Sequence, residues 1–389
     1  MRTGKVQPNC KALLAPTVER LQCKKGRSPQ GLFAAEAKGV LKAPQPGAAL
    51  GVVVERRFWS VLSLSVLPVL MAGCGGGGSS LPVTAPSSTP APQAPQGPLF
   101  VAGLNGVVVF PIGAQGTAAP LNSIGGFGGG EDANPPWTKI ASLGAGPGGS
   151  MIVGTETFFA GEDGGPPPRY DCNLYVYASN ANGSSKAVST PTCSGDLYPA
   201  AVYGRANGDI DYLAQPYGGQ NQIIRVRASD GTSVVRLTAS NGATFSRFTE
   251  DAAGDLYVTD GLTVKEYNGQ SDIAQPSPVR TVPLSVSASF LALAPDGTIY
   301  AAAASPGSIE AITPSGTTRT VGPFSKQIGA IATDSAGELY VGLNASGGVS
   351  NEVDVFAANA AGNSPLRVLT NPVTAQFGPA VVAGIAIGQ

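Results

Sequence analysis

The sequence contains no histidine in 389 residues. That absence removes Ser-His-Asp and Cys-His catalysis, histidine-ligated zinc and a histidine pH switch. Charge is sparse too: Asp, Glu, Lys and Arg together make up 13%, while 42% of the chain is hydrophobic. This is too little charge for a solvated disordered chain and enough apolar material for a core. Aromatics stop at 7%. Glycine, at 53, and proline, at 33, are plentiful. Such a composition favours many short strands joined by turns.

The few charges are unevenly placed. Residues 1–57 carry 11 Lys and Arg against Glu19, Glu36 and Glu55, which leaves 13 bases against 22 acids in the remainder. No basic stripe marks that remainder, so nucleic acid is not an expected partner.

Glu55-Arg56-Arg57 precedes the apolar run Phe58–Met71, and Ala72-Gly73-Cys74 follows. A basic start, a short apolar stretch and small residues at its end have the order and dimensions of a secretory signal. A spanning helix needs about 20 apolar residues, and this run is shorter and interrupted by Pro68. Met71-Ala-Gly-Cys74 resembles the lipobox of bacterial lipoproteins, with Met71 where leucine is commoner. The resemblance implies that residues 54–73 are a cleaved signal peptide and that Cys74 becomes the acylated first mature residue, bearing palmitate-like chains. Several acyl chains on one residue suffice for stable membrane anchoring. Gly75 stands where an aspartate retains some lipoproteins at the inner membrane, which points to the outer membrane in a Gram-negative host. The expected location is therefore exported, lipid-anchored to the cell membrane or outer membrane, on the periplasmic or surface side.

Residues 1–53 lack periodicity and read as an unstructured upstream extension, with translation expected to start near Val52–Val54. On that reading Cys10 and Cys23 are absent from the mature protein. Residues 74–96 follow the signal without a single charge and consist almost wholly of Gly, Ser, Thr, Ala, Pro and Gln. This is the composition of a tether with a flexible root and a stiffer, Pro-rich spacer.

From Gly97 a phrase recurs, Gly-x-(Leu/Ile/Met) and then usually a large residue, at Gly97, Gly149, Gly208, Gly254, Gly297 and Gly337. Periods of 40–59 residues filled with short strands are the signature of propeller blades. The last unit reads as Ala330–Thr333, Leu339–Val341, Glu352–Phe356 and Leu366–Leu369, in order from inner to outer strand. The first unit begins at its second strand, and the chain ends on Val382–Ile387, an inner strand with nothing after it. The expected fold is all-β: a six-bladed β-propeller of four-stranded blades over residues 97–389. Its two ends share one blade, which removes open sheet edges. Phrases such as Gly337-Glu-Leu-Tyr-Val-Gly-Leu343 resemble the NHL-repeat and related six-bladed propellers. That resemblance implies a scaffold rather than a chemistry.

Cys172 and Cys193 are the remaining cysteines of the exported part, and an oxidising compartment favours a disulfide between them. Two acidic loops echo each other, Glu131-Asp132 and Glu162-Asp163, and read as solvated surface loops without calcium-loop spacing. Asp251, Asp296 and Asp334 precede the repeat glycines and read as turn caps. Tyr257, Tyr300 and Tyr340 read as packing between blades. The alanines of the inner strands (Ala292, Ala294, Ala330, Ala332 and Ala386) suggest a narrow channel with little polar equipment.

No catalytic, metal-binding or cofactor-binding residue stands out, and no cofactor is expected. The function these features support is a non-catalytic binding or scaffold module, monomeric and held to the membrane through the lipid on Cys74. Its partner would be a protein or a cell-envelope polymer. The alternative is a metal-dependent, lactonase-like propeller hydrolase working in the channel.

Overall fold

A computed structural model describes Cys10–Ala15, Val18–Cys23 and residues 97–388, apart from 128–136, 160–168, 217–218, 241–243, 270–276, 349, 375 and 377–379. The signal segment, Cys74, the tether and the acidic pairs Glu131-Asp132 and Glu162-Asp163 lie outside the described residues. Upstream, Cys10–Ala15 and Val18–Cys23 pair as an antiparallel hairpin with Cys10 opposite Cys23. It belongs to a unit separate from the ring.

Residues 97–388 form six four-stranded antiparallel blades. Blade 1 runs from inner to outer strand as Gly384–Ile387, Leu99–Ala102, Gly106–Phe110 and Asn122–Gly125. Blade 2 is Trp137–Ala145, Met151–Phe159, Arg169–Tyr177 and the start of Thr192–Gly204. Blade 3 takes the rest of that strand, then Ile210–Pro216, Gln222–Val226 and Ser233–Thr238. Blade 4 is Arg247–Glu250, Leu256–Thr259, Thr263–Tyr267 and Arg280–Pro283, and blade 5 is Phe290–Leu293, Ile299–Ala303, Gly307–Ile312 and Thr318–Phe324. Blade 6 is Gln327–Thr333, Leu339–Asn344, Asn351–Phe356 and Arg367–Thr370. The inner strands touch one another in a closed cycle from blade 1 round to blade 6 and back. The closure read from the two chain ends is present: Ile387 lies opposite Leu99 and Gly384 opposite Ala102.

One joint departs from the repeat. Thr192–Gly204 is a single strand of 13 residues whose start pairs with blade 2 and whose end pairs with blade 3. No turn separates the two blades there, so they merge into one seven-stranded sheet.

The aspartates do what their position before glycine demands. Asp251 accepts the Asp255 N–H, Asp296 accepts that of Thr298, and Asp334 accepts those of Ala336 and Glu338, each at 2.9 Å. Gly254, Gly297 and Gly337 close these turns at φ of 88°, 80° and 80°, a region that a side chain disfavours. All these turns join an inner strand to the second strand, so they share one end of the ring, here called the turn face.

The repeat tyrosines are buried between blades as expected. Tyr340 joins a cluster with Leu99 and Val108 of blade 1, Tyr300 one with Leu339 and Val341 of blade 6, and Tyr257 one with Ile299 and Ala301 of blade 5. In register, each tyrosine leads across the sheet to an outer-strand arginine: Tyr257 to Arg280, Tyr300 to Arg319, Tyr340 to Arg367. Arg319 and Arg367 lie over their tyrosine rings at 5.9 and 5.6 Å and reach the next blade, donating to the carbonyls of Ala360 and Ile112. Each link gives a part-buried guanidinium donor an acceptor on the neighbouring blade.

Blade 3 has Asp211 where blades 4 to 6 have tyrosine, and a buried ion cluster replaces the packing. Arg236 Nη1 donates to Asp211 at 2.6 Å and to Glu250 of blade 4 at 2.7 Å, and its Nη2 donates to the carbonyls of Gly254 and Gly269. Arg225 forks onto Asp211 with two bonds of 2.8 Å, and Arg205 donates to Glu250 at 2.7 Å. Arg236, Asp211 and Glu250 are all buried.

Candidate site at the mouth of the ring

Every inner strand ends opposite the first residue of its blade's second strand, at the turn face. Their first residues therefore gather at the end opposite the turn face, and there the charged and aromatic side chains converge. Lys139 of blade 2 is the third residue of its inner strand, and Tyr198 is the second residue of the part of Thr192–Gly204 that pairs within blade 3. Arg247 and Phe290 open the inner strands of blades 4 and 5.

Blade 2 rises above this mouth. Its first three strands have nine residues each, against four to seven in the first three strands of blades 4 to 6. The excess lies at the mouth end, where Trp137 pairs with Phe158 and Phe159 with Arg169. Three contacts hold the extension together. Phe158 and Tyr170 have ring centroids 5.0 Å apart. The hydroxyls of Thr138 and Thr157 hydrogen-bond at 2.8 Å. Cys172 and Cys193 form a disulfide with Cα atoms 5.5 Å apart.

Cys172 lies within the third strand, and Cys193 lies near the start of the outer strand. Between Asp171↔Asp196 and Asn173↔Thr192 the outer strand has extra residues, so ladder pairing fails, and the disulfide joins the two strands at that point. Closing a loop of 21 residues stabilises the fold by about 3 kcal/mol in the chain-entropy model.

Electrostatics at the mouth follow from partial burial. Lys139 Nζ approaches Glu156 Oε2 at 3.7 Å. Burial raises the Glu156 carboxyl above the ordinary range, with Lys139 partly offsetting it. Burial likewise raises the Tyr198 phenol, with Arg247 opposing and Glu156 reinforcing the shift. Burial pushes Arg247 down. Its guanidinium stands 5.4 Å from the Phe290 ring centroid, and Nη1 donates to the Ser246 carbonyl at 2.8 Å.

The expected apolar, poorly equipped channel is thus corrected. Ala292, Ala294, Ala330 and Ala386 are buried in the clusters between blades, with Ala332 packed against one of them. Alternate residues of an inner strand face the two neighbouring blades, and alanine fits because the wedge is thinnest near the axis. No sequence motif marks the mouth residues, since each comes from a different repeat. Their phase is regular, however: Lys139 and Tyr198 precede their repeat glycines by 10 residues, and Arg247 and Phe290 precede theirs by 7. Among the described residues no three acidic or cysteine side chains come together as a metal-ligating group.

No family model matches the chain, and no curated protein matches it. Solved structures do. A protein of unknown function from Bacteroides caccae is 13% identical, covers 76% of this chain and 99% of its own, and superposes with a TM-score of 0.51. A protein from Lactobacillus plantarum is 14% identical over 71% of this chain and 83% of its own, with a TM-score of 0.43. The Cps50 (Swd1) β-propeller domain of Myceliophteria thermophila is 10% identical over 72% and 82%, also at 0.43. At such identities the Bacteroides likeness speaks for the fold alone.

Proposed function

We propose that the protein is an exported, lipid-anchored propeller that works as a non-catalytic binding module. The observation that carries this reading is the mouth itself. Lys139, Glu156, Tyr198, Arg247 and Phe290 converge from successive blades around one end of the ring, and they offer polar and aromatic contacts rather than a paired nucleophile and base. Convergent polar and aromatic groups on a rigid frame are the ordinary make-up of a binding site. The lipobox-like Met71–Cys74 and the uncharged tether supply the anchoring side of the proposal, with the membrane as one partner and an envelope polymer or protein as the other.

The competing hydrolase would need a divalent ion in the channel. Thermal unfolding of the full chain with and without calcium, magnesium, manganese and zinc separates the two. The binding-module reading expects midpoints within about 1 °C of each other. A saturable rise of several degrees with one ion marks a resident metal and would favour the hydrolase, since a ligand at 100 times its Kd adds about 2.7 kcal/mol.

A further inference from the structure

Arg247 is the cation of the mouth that no carboxylate answers. Arg205, Arg225, Arg236 and Arg367 each pair with an acidic side chain at 2.6–2.8 Å. Arg247 has one backbone acceptor, the Ser246 carbonyl, and the face of Phe290, and among the described residues no carboxylate pairs with it. A guanidinium carries five N–H donors in a rigid fork, and among the described residues only Nη1 has an acceptor. Keeping a cation partly buried without a counter-charge costs free energy, which an anion would recover. The neighbouring charges set the sign and size of that anion. Among the described residues, Lys139 approaches Glu156 at 3.7 Å, whereas Arg247 has no carboxylate partner. The Glu156 carboxylate would repel a second negative charge.

We infer that the mouth binds a small ligand through a carboxylate that docks on the Arg247 guanidinium. A planar carboxylate matches the guanidinium fork, and the Glu156 carboxylate nearby disfavours the second charge of a dianionic phosphate. Tyr198, on the adjoining inner strand and within electrostatic reach of Arg247, offers an amphipathic surface for the body of such a ligand. The inference rests on the binding-module reading and gives that module a ligand class. Its failure would leave anchoring and metal-indifference to their own measurements.

The test is thermal unfolding of the full chain at fixed ionic strength, titrated with sodium acetate, benzoate or inorganic phosphate against chloride. Both carboxylates are expected to raise the midpoint saturably, and phosphate is not. Arg247→Gln is expected to weaken carboxylate binding by about tenfold or more, the effect of losing a charged hydrogen-bonding group. Arg280→Gln, on an outer strand, is expected to bind as the parent does. The Arg247→Gln chain should unfold at or above the parent midpoint in chloride alone, because it loses an uncompensated buried charge. This keeps misfolding from imitating loss of the site. No saturable shift with either carboxylate overturns the inference. So does a shift with phosphate alone, or one that Arg247→Gln retains in full.

Discussion

Deleting residues 384–389 is expected to abolish the folded ring. Gly384–Ile387 is the inner strand of blade 1 and pairs residue for residue with Leu99–Ala102. Ile385, Ala386 and Ile387 are buried, as are Leu99 and Phe100 beneath them. Burying an isoleucine side chain is worth about 1.5–3 kcal/mol, so the two isoleucines alone approach the 5–15 kcal/mol that holds a whole domain together. The deletion also breaks the contacts with the inner strands of blades 2 and 6 and bares the edge of Leu99–Ala102. The expected result is loss of the cooperative thermal transition, with aggregation visible by size-exclusion chromatography. Moving residues 380–388 to a position directly before Gly97 should restore both, because the ring needs the strand and not its place in the chain. A truncated chain melting within 2 °C of the parent would contradict closure.

Arg236→Met is expected to cost about 3–5 kcal/mol, the range for removing one partner from a buried ion pair, or roughly 6–20 °C in the melting midpoint. The arginine bridges Asp211 and Glu250 and satisfies two backbone carbonyls of blade 4. Without it the two carboxyls face each other with only Arg205 and Arg225 to compensate. Arg236→Lys should recover little, since one ammonium cannot reproduce the planar fork.

The same pair sets a pH dependence. Burial opposes ionisation of Asp211, but hydrogen bonds from Glu250 and Arg225 and the charge of Arg236 outweigh it and hold Asp211 below its ordinary range. Burial first, then Asp211, push Glu250 up to about 9. The folded state thus keeps a proton that unfolded Glu250 releases near its ordinary value of 4.5. The resulting stability is fully present below that value and is lost as pH rises towards about 9, at up to about 1.4 kcal/mol per pH unit. Urea midpoints measured between pH 5 and 9 should therefore decline in the parent and flatten in Glu250→Gln, which keeps a donor towards Asp211 at every pH. Equal slopes would place the proton elsewhere.

These two clusters differ in how far the sequence foretold them. The closing strand was legible because a repeat that starts on its second strand and stops on an inner one leaves a single arrangement. The turns were legible because Asp251, Asp296 and Asp334 sit at fixed offsets from glycines that need positive φ. Arg236 and Glu250 were not, because their partnership depends on adjacent blades facing each other and on Asp211 taking a tyrosine's place in the repeat. The merged strand Thr192–Gly204 was hidden for a related reason: the blade boundary carries no turn residues that force a break. At the mouth, alanines in the inner strands pointed to an apolar channel, yet their side chains face between blades. The groups that do gather there lie tens of residues apart and share only their phase within the repeat.

We propose a binding ring tethered to a membrane through Cys74. Intact-mass spectrometry of the full chain, produced in a bacterial host and recovered from its membranes, tests it most directly. The expected species begins at Cys74 and is heavier than the polypeptide by its acyl chains, and Cys74→Ser should leave an unprocessed, unacylated chain. A membrane-bound species that retains residues 54–73 with an unmodified Cys74 would contradict the account.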